Sequence, residues 1–440
     1  MRKLFYIVVL AASFNTLNAQ EKQYVDLIQP SIFALTRVMM HDVVNPPAAS
    51  RFYSYCLLGA CESMSVSDSS IPGILKLVEG YLPSSKNIYT RTSDPQITAL
   101  FSILETGKQM LPSGYMIQGD QDDLVLKLRK RKVPMKVISE SMDAAVQIAK
   151  DIIRYAATDN YNKLSTRLRY TPKKGEGYWY PTPPSYLEAV EPNWRTIRPF
   201  LIDSCNQFAP AKPVAYSNDT TSEFFRLANE VYLVGNKLTP AQLHIAAFWD
   251  CNPFAIENSG HLALGFKKIS PGGHWMNIAA IAASKARLTF GQTILLESAV
   301  AISLMDAFIS CWDEKYRSHR IRPETFINKK ISVKWQPLLQ TPPFPEYPSG
   351  HSVISTAAAE VLTYYLGDNF SYTDDTEVMF EIPARTFTSF RAAAAEAAIS
   401  RLYGGIHFRD AIVNGQEEGG RVGRYIVDKL KRANSKPFTR

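Results

Sequence analysis

The sequence predicts an all-α protein, and three observations support this. Alternating apolar and polar strand patterns are scarce, while segments with apolar residues at helical spacing recur along most of the chain. Over 440 residues, 46% are hydrophobic and 20% charged, enough to bury a large core and outside the range of disordered chains. A leader over 1–19 followed by a single helical domain over 20–440 is expected, with its chemistry concentrated at about 293–425.

The elements follow in chain order. Arg2 and Lys3 precede an apolar run from Leu4 to Ala12, and Leu17-Asn18-Ala19 offers a small-residue cleavage site before Gln20. This is the pattern of a secretory signal peptide, and it predicts a periplasmic or secreted protein. Pro46-Pro47 opens a helix running to Met64, with Phe52, Cys56, Leu57 and Ala60 on one face. Further helices are expected over 94–110, 134–159, 220–235, 240–249, 275–289, 293–318, 352–366 and 386–403. Eight prolines between Tyr170 and Pro213 rule out a helix there and predict a long ordered loop or lid. The long apolar run Leu295–Phe308 is interrupted by Glu297 and Asp306, so no integral membrane segment is expected.

Lysine plus arginine (49) exceeds aspartate plus glutamate (41) by 8, without a basic run of five, so a nucleic-acid partner is not expected. The five cysteines form no CxxC pair, and no histidines stand at zinc spacing; buried free thiols are expected.

Three pieces carry chemistry. Lys315 and Arg322-Pro323 are seven residues apart, which on a continuing helix would place both cations on one face. Pro348-Ser349-Gly350-His351 precedes a helical run: Ser349 can cap it, and Gly350 lets backbone amides approach an anion at the positive helix end. In Ser400-Arg401-Leu402-Tyr403-Gly404-Gly405-Ile406-His407 the glycine pair ends a helix and frees the His407 ring to face Arg401. Each alone is an ordinary helix end. Together, three cations, helix-end amides, a serine and two histidines form a cage for a tetrahedral or trigonal-bipyramidal oxyanion. A second Ser-Gly-His, Ser259-Gly260-His261, lacks the preceding proline and basic segment and is expected to be a decoy.

These residues resemble the superfamily that unites vanadium-dependent haloperoxidases with type-2 phosphatidic acid phosphatases and bacterial acid phosphatases. Its three motifs, Lys-x6-Arg-Pro, Pro-Ser-Gly-His and Ser-Arg-x5-His, match at every named position. The segments Phe248–Pro253 and Gly272–Trp275 also look like those of secreted bacterial haloperoxidase-like proteins, though less specifically. The resemblance implies helical bundles around the anion site.

It also implies roles. Lys315, Arg322, Ser349, Gly350 and Arg401 would bind oxygens of vanadate, with phosphate as a competing ligand. His407 would bond vanadium, His351 would be the acid-base, and Lys315 would polarise peroxide. Trp312 and Phe344 stand where haloperoxidases carry aromatic walls near the halide. Asp250 is the candidate to orient His351, and Asp410 to orient His407. The partners implied are hydrogen peroxide, a halide (iodide or bromide favoured) and an organic halogen acceptor; homo-oligomers are possible, and neither haem nor flavin is needed. The chain is far longer than the small acid phosphatases. Asp410 follows His407 by three residues, where phosphatases usually have an aspartate after four. The expected function is therefore a vanadium-dependent haloperoxidase. The alternatives are a periplasmic acid phosphatase with a phosphohistidine intermediate and a noncatalytic oxyanion-binding protein.

Overall fold

The computed structural model describes residues 24–438 apart from 70, 85, 184–185, 255, 260–261 and 266; the leader and His261 lie outside the described residues. The α-helices are α1 (Ile28–His41), α2 (Pro46–Met64), α3 (Pro72–Leu77), α4 (Pro95–Met110), α5 (Gln118–Lys130), α6 (Met135–Ala156), α7 (Glu223–Gly235), α8 (Pro240–Phe248), α9 (Pro271–Ala286), α10 (Phe290–Ser318), α11 (Pro323–Lys330), α12 (Gly350–Leu366), α13 (Phe390–Tyr403) and α14 (Arg409–Arg432). Two short antiparallel hairpins interrupt them: β1 (Ile256–Ser259) with β2 (Leu262–Gly265), and β3 (Tyr372–Asp374) with β4 (Arg385–Phe387).

The expected helix starts were mostly signalled by caps. Asn45 caps α2, whose first two residues are Pro46 and Pro47, and Asp94 accepts from the amides of Gln96 and Ile97 ahead of α4. Thr289 and Gln292 form a capping box at the start of α10, three residues earlier than the expected start of 293. The helix expected from 386 begins instead at Phe390, capped by Ser389, because Thr386 and Phe387 pair with Thr373 and Tyr372 in the second hairpin. That short β-branched and aromatic stretch follows strand propensity, not the alanine-rich run behind it.

α10 is the central post. On one side it packs against α2, which joins α4 and α6 in an N-terminal bundle; on the other it packs against α12, which lies along α13 and α14. It is also long and apolar enough to cross a membrane by length and composition, yet its apolar stretch is fully buried in the core. The 170–213 segment is a loop that wraps this post. Buried Asp306 on α10 accepts the backbone amides of Phe200, Leu201 and Ile202 at 2.7, 2.7 and 2.9 Å. Trp179 donates its amide to His319, and Val190 to Pro343, so the loop is stitched to the chain just after Lys315 and to the proline-rich stretch before Glu346.

Helix α14 buries Ile412, Val422, Ile426 and Leu430 on one face, and the same face carries a glycine every fourth residue. Gly415, Gly419 and Gly423 face α12 so closely that a Cβ on Gly419 would lie 2.1 Å from the Val353 carbonyl oxygen, and one on Gly423 2.8 Å from that of Ala357. This groove seats the first turns of α12. Gly419→Ala should therefore force the two helices apart, costing about 1–3 kcal/mol or more. Chemical denaturation checks this, and an unchanged midpoint would contradict so close a packing of α12 on α14.

Candidate active site

Residues of the three motifs meet at one pocket between α10, α12 and α13. His351, Arg401, His407 and Gly350 line it, with Trp312 and Phe344 forming an aromatic wall whose ring centroids are 5.0 Å apart. Lys315 and Arg322 are fully buried behind that wall.

They arrive there differently from the expectation. α10 stops at Ser318, His319 takes a left-handed conformation at its C-cap, and Arg322 is the N-cap residue of α11. Lys315 and Arg322 therefore share no helix face, and a chain reversal brings them together. Arg322 donates from Nε to the Phe344 carbonyl at 3.0 Å and from Nη1 to that of Ile406 at 2.9 Å, while its Nη2 is buried without a partner among the described residues. The Lys315 ammonium donates to the carbonyls of Pro345, Glu346 and Pro348, which uses all three of its hydrogens. Its Nζ also stands 5.1 Å from the centre of the Phe344 ring. Burial first, and Arg322 second among the lowering causes, bring the Lys315 pKa down to about 8; burial brings that of Arg322 down to about 10.

Ser349 caps α12 as expected, with Oγ accepting from the Ser352 amide at 3.4 Å. His351 therefore sits in the first turn of α12, at the positive helix end. Its ring bonds the Trp249 carbonyl, and its Nε2 has no partner among the described residues. The same carbonyl accepts from Arg401 Nη2 at 2.6 Å, and Arg401 Nε reaches Ser400 Oγ at 2.9 Å. Asp250 does not orient His351. Its carboxylate pairs with Lys268 at 2.5 Å, and it acts on Arg401 through space.

Gly405, at φ +75, takes the left-handed conformation that turns the chain out of α13 and into the His407 segment. His407 Nδ1 meets Glu346 Oε1 at 2.9 Å, and Nε2 lies 3.3 Å from Arg322 Nη1. Since a carboxylate only accepts, Nδ1 carries the hydrogen and Nε2 the lone pair. Burial, then Arg322, Lys315 and Arg401 for His407 and Arg401 for His351, hold both rings well below the ordinary histidine pKa, so both are neutral at pH 7.

The carboxylate on His407 is thus Glu346 and not Asp410. Asp410 instead takes Arg320 Nη1 at 2.8 Å, and that guanidinium also faces Glu346 at 3.4 Å. Asp410 reaches His407 only through this relay. Glu346 was legible in one respect: it is the only acid between Glu324 and Glu360, on a proline-rich stretch that cannot be helical. Trp249 lay in the Phe248–Pro253 segment already singled out, though without a role, and Arg320 carried no such signal.

A family model described as the VCPO second helical-bundle domain matches residues 296–436. The crystal structure of the first bacterial vanadium-dependent iodoperoxidase is 40% identical in sequence, with 92% of this chain and 96% of that one covered and a TM-score of 0.85. The chain belongs to the vanadium-dependent haloperoxidase family. Holo-type and apo-type bacterial vanadium-dependent chloroperoxidases share the fold at 15% and 14% identity, with TM-scores of 0.66 and 0.63. The first alignment covers 89% of this chain and 93% of that one, the second 87% and 94%. No curated protein sequence matches the chain.

For a haloperoxidase the donor set fits vanadate. Buried cations in excess of their counter-ions are costly unless an anion completes them, and the unpartnered Arg322 Nη2 and His351 Nε2 are the kind of atoms an oxyanion would satisfy. Glu346→Gln removes the charged acceptor that fixes the His407 tautomer, so vanadate affinity should fall about 10- to 100-fold. A vanadate titration of the apo variant measures this; unchanged affinity would mean that Glu346 does not orient His407 for the anion.

Proposed function

We propose that this protein oxidises halide with hydrogen peroxide to hypohalous acid, with iodide and bromide favoured, using vanadate held in the cage of motif residues. The reading is carried by the neutral, Glu346-oriented His407, whose Nε2 lone pair faces the buried cations. The 40% identity to an iodoperoxidase across 92% of the chain supports it.

His407 Nε2 would hold the vanadium, and Arg322, Arg401, Lys315, Ser349 and the Gly350 segment its oxygens. Bound there, vanadate supplies a Lewis acid that activates peroxide without change of oxidation state. The chain's own residues do the rest. His351, neutral and with Nε2 unpartnered, accepts the peroxide proton and returns it later. Lys315 exchanges one of its three carbonyl partners for an oxyanion oxygen and stabilises developing negative charge. Trp312 and Phe344 keep water from the side on which a halide would approach, next to the cations that attract it. An organic molecule that accepts the oxidised halogen would meet it at the pocket mouth. Arg2, Lys3, the run Leu4–Ala12 and Ala19 support export to the periplasm or beyond, and a mature chain beginning at Gln20 by mass spectrometry is the matching result.

Halide oxidation should require added vanadate and be competed by phosphate; a vanadate-independent peroxidase activity would overturn the reading. His407→Ala should abolish tight vanadate binding. His351→Ala should keep much of that binding and slow turnover by about 10² to 10⁴, and wild-type vanadate binding by both variants would refute the two roles.

The pH dependence follows from Lys315. Because its pKa is lowered to about 8, its ammonium is present at pH 7 and lost as pH rises through that value. Vanadate affinity should weaken over that window in the wild type and much less in Lys315→Met. Equal slopes in titrations across it would count against a charged contact from Lys315.

A further inference from the structure

A second cluster borders the cage pocket, which Cys251 also lines, and takes no part in the chemistry above. Cys251 follows α8, His274 stands in the first turn of α9, and Glu377 belongs to a short 3₁₀ turn over Thr376–Phe380. All three are buried, with His274 and Glu377 fully excluded from solvent. His274 Nδ1 is 3.3 Å from Cys251 Sγ and 3.2 Å from Glu377 Oε1, and the sulfur and that oxygen are 3.8 Å apart. A tetrahedral metal with bonds of about 2.0 to 2.3 Å has ligand-to-ligand edges of about 3.3 to 3.8 Å, so the three atoms stand close to where such a site needs them. Two further observations point to a ligand. Glu377 Oε2 is buried and without a partner among the described residues. His274 Nε2 meets Asp374 Oδ2 at 2.8 Å, and Asp374 in turn accepts from Thr376; this carboxylate behind an imidazole is how metal-bound histidines are usually held.

We propose that Cys251, His274 and Glu377 bind one structural divalent cation, zinc by its donor set, with the unpartnered Glu377 Oε2 as a second, chelating contact from the same carboxylate. A thiolate with an imidazole and a carboxylate selects a borderline ion such as zinc over calcium or magnesium. On binding, Cys251 loses its thiol proton to solvent, His274 Nδ1 offers its lone pair, and Nε2–H stays on Asp374. The site would clamp three segments that are distant in sequence. It would also fix Trp249, whose ring stacks on His274 at 4.7 Å and whose carbonyl holds Arg401 and His351. Metal there has no place in the halide reaction.

Metal content of the purified full-length protein, measured by mass spectrometry with vanadium counted separately, tests this. One zinc per chain is expected in the wild type, with at least a tenfold loss in Cys251→Ser and in Glu377→Gln. Cobalt substitution should give a thiolate charge-transfer band that Cys251→Ser lacks. Should either variant fail to fold, an anomalous difference map of wild-type crystals at the zinc edge decides: a peak between Cys251 Sγ and His274 Nδ1 supports the site. A wild type that takes up neither zinc nor cobalt on refolding, or zinc content indifferent to both substitutions, overturns it. The cluster would then be a histidine ion-paired between Asp374 and Glu377.

Discussion

The carboxylate of Glu346 is the constraint on which the cage depends. Four cationic side chains, Lys315, Arg320, Arg322 and Arg401, are buried within the reach of one another's fields. Their mutual repulsion and lost hydration would oppose folding without a counter-charge. Glu346 supplies it. Burial raises its pKa, while Arg320, Arg322 and Lys315 pull it back, and its Oε1 accepts from both His407 Nδ1 and the Phe408 amide. One buried charge thus offsets part of the cationic charge, selects the His407 tautomer and ties the loop before α12 to the turn before α14.

The helix N-terminus beside it is placed by packing. The glycine groove on α14 brings the Val353 and Ala357 carbonyls of α12 against its backbone, and the Ser349 amide donates to Ala411 at the same end. Interiors packed at this density deform little, so the Ser349–His351 turn stands at a fixed distance from His407. α10 performs the same service for Lys315 and Trp312, and Asp306 fastens the long loop to its middle. Such support from rigid elements is what an oxyanion site needs, because its donors must be aimed before the charge arrives.

Behind this layer the structure is polar again. Trp249 joins the cage to the Cys251, His274 and Glu377 cluster, holding Arg401 with its carbonyl and stacking its ring on His274, while Cys251 also lines the cage pocket. The Trp249 indole also donates to Glu396, which takes Arg385 in a two-point pair, so the wall is held from three directions. Within 248–254, Trp249 positions Arg401 and His351 through its carbonyl, and Asp250 to Phe254 line the pocket.

The sequence by itself determined the helical class, the long loop, most of the helices from α2 onward and the three motifs whose residues come together, because apolar periodicity, caps, prolines and contiguous motifs are local signals. It passed over α1, α3, α5, α11 and α14, of which α3 and α11 are about two turns or shorter and α5 is mostly polar. Only the tertiary structure decided what surrounds each motif residue. The sequence placed Lys315 and Arg322 on one helix, and a left-handed His319 separates them; it offered Asp250 and Asp410 to the histidines, and a backbone carbonyl and Glu346 hold them instead. The cluster at Cys251 joins residues far apart in sequence, so no short spacing could announce it. A buried polar group takes whichever partner the packed backbone brings within about 3 Å, and that distance is set by contacts between elements that share no local pattern.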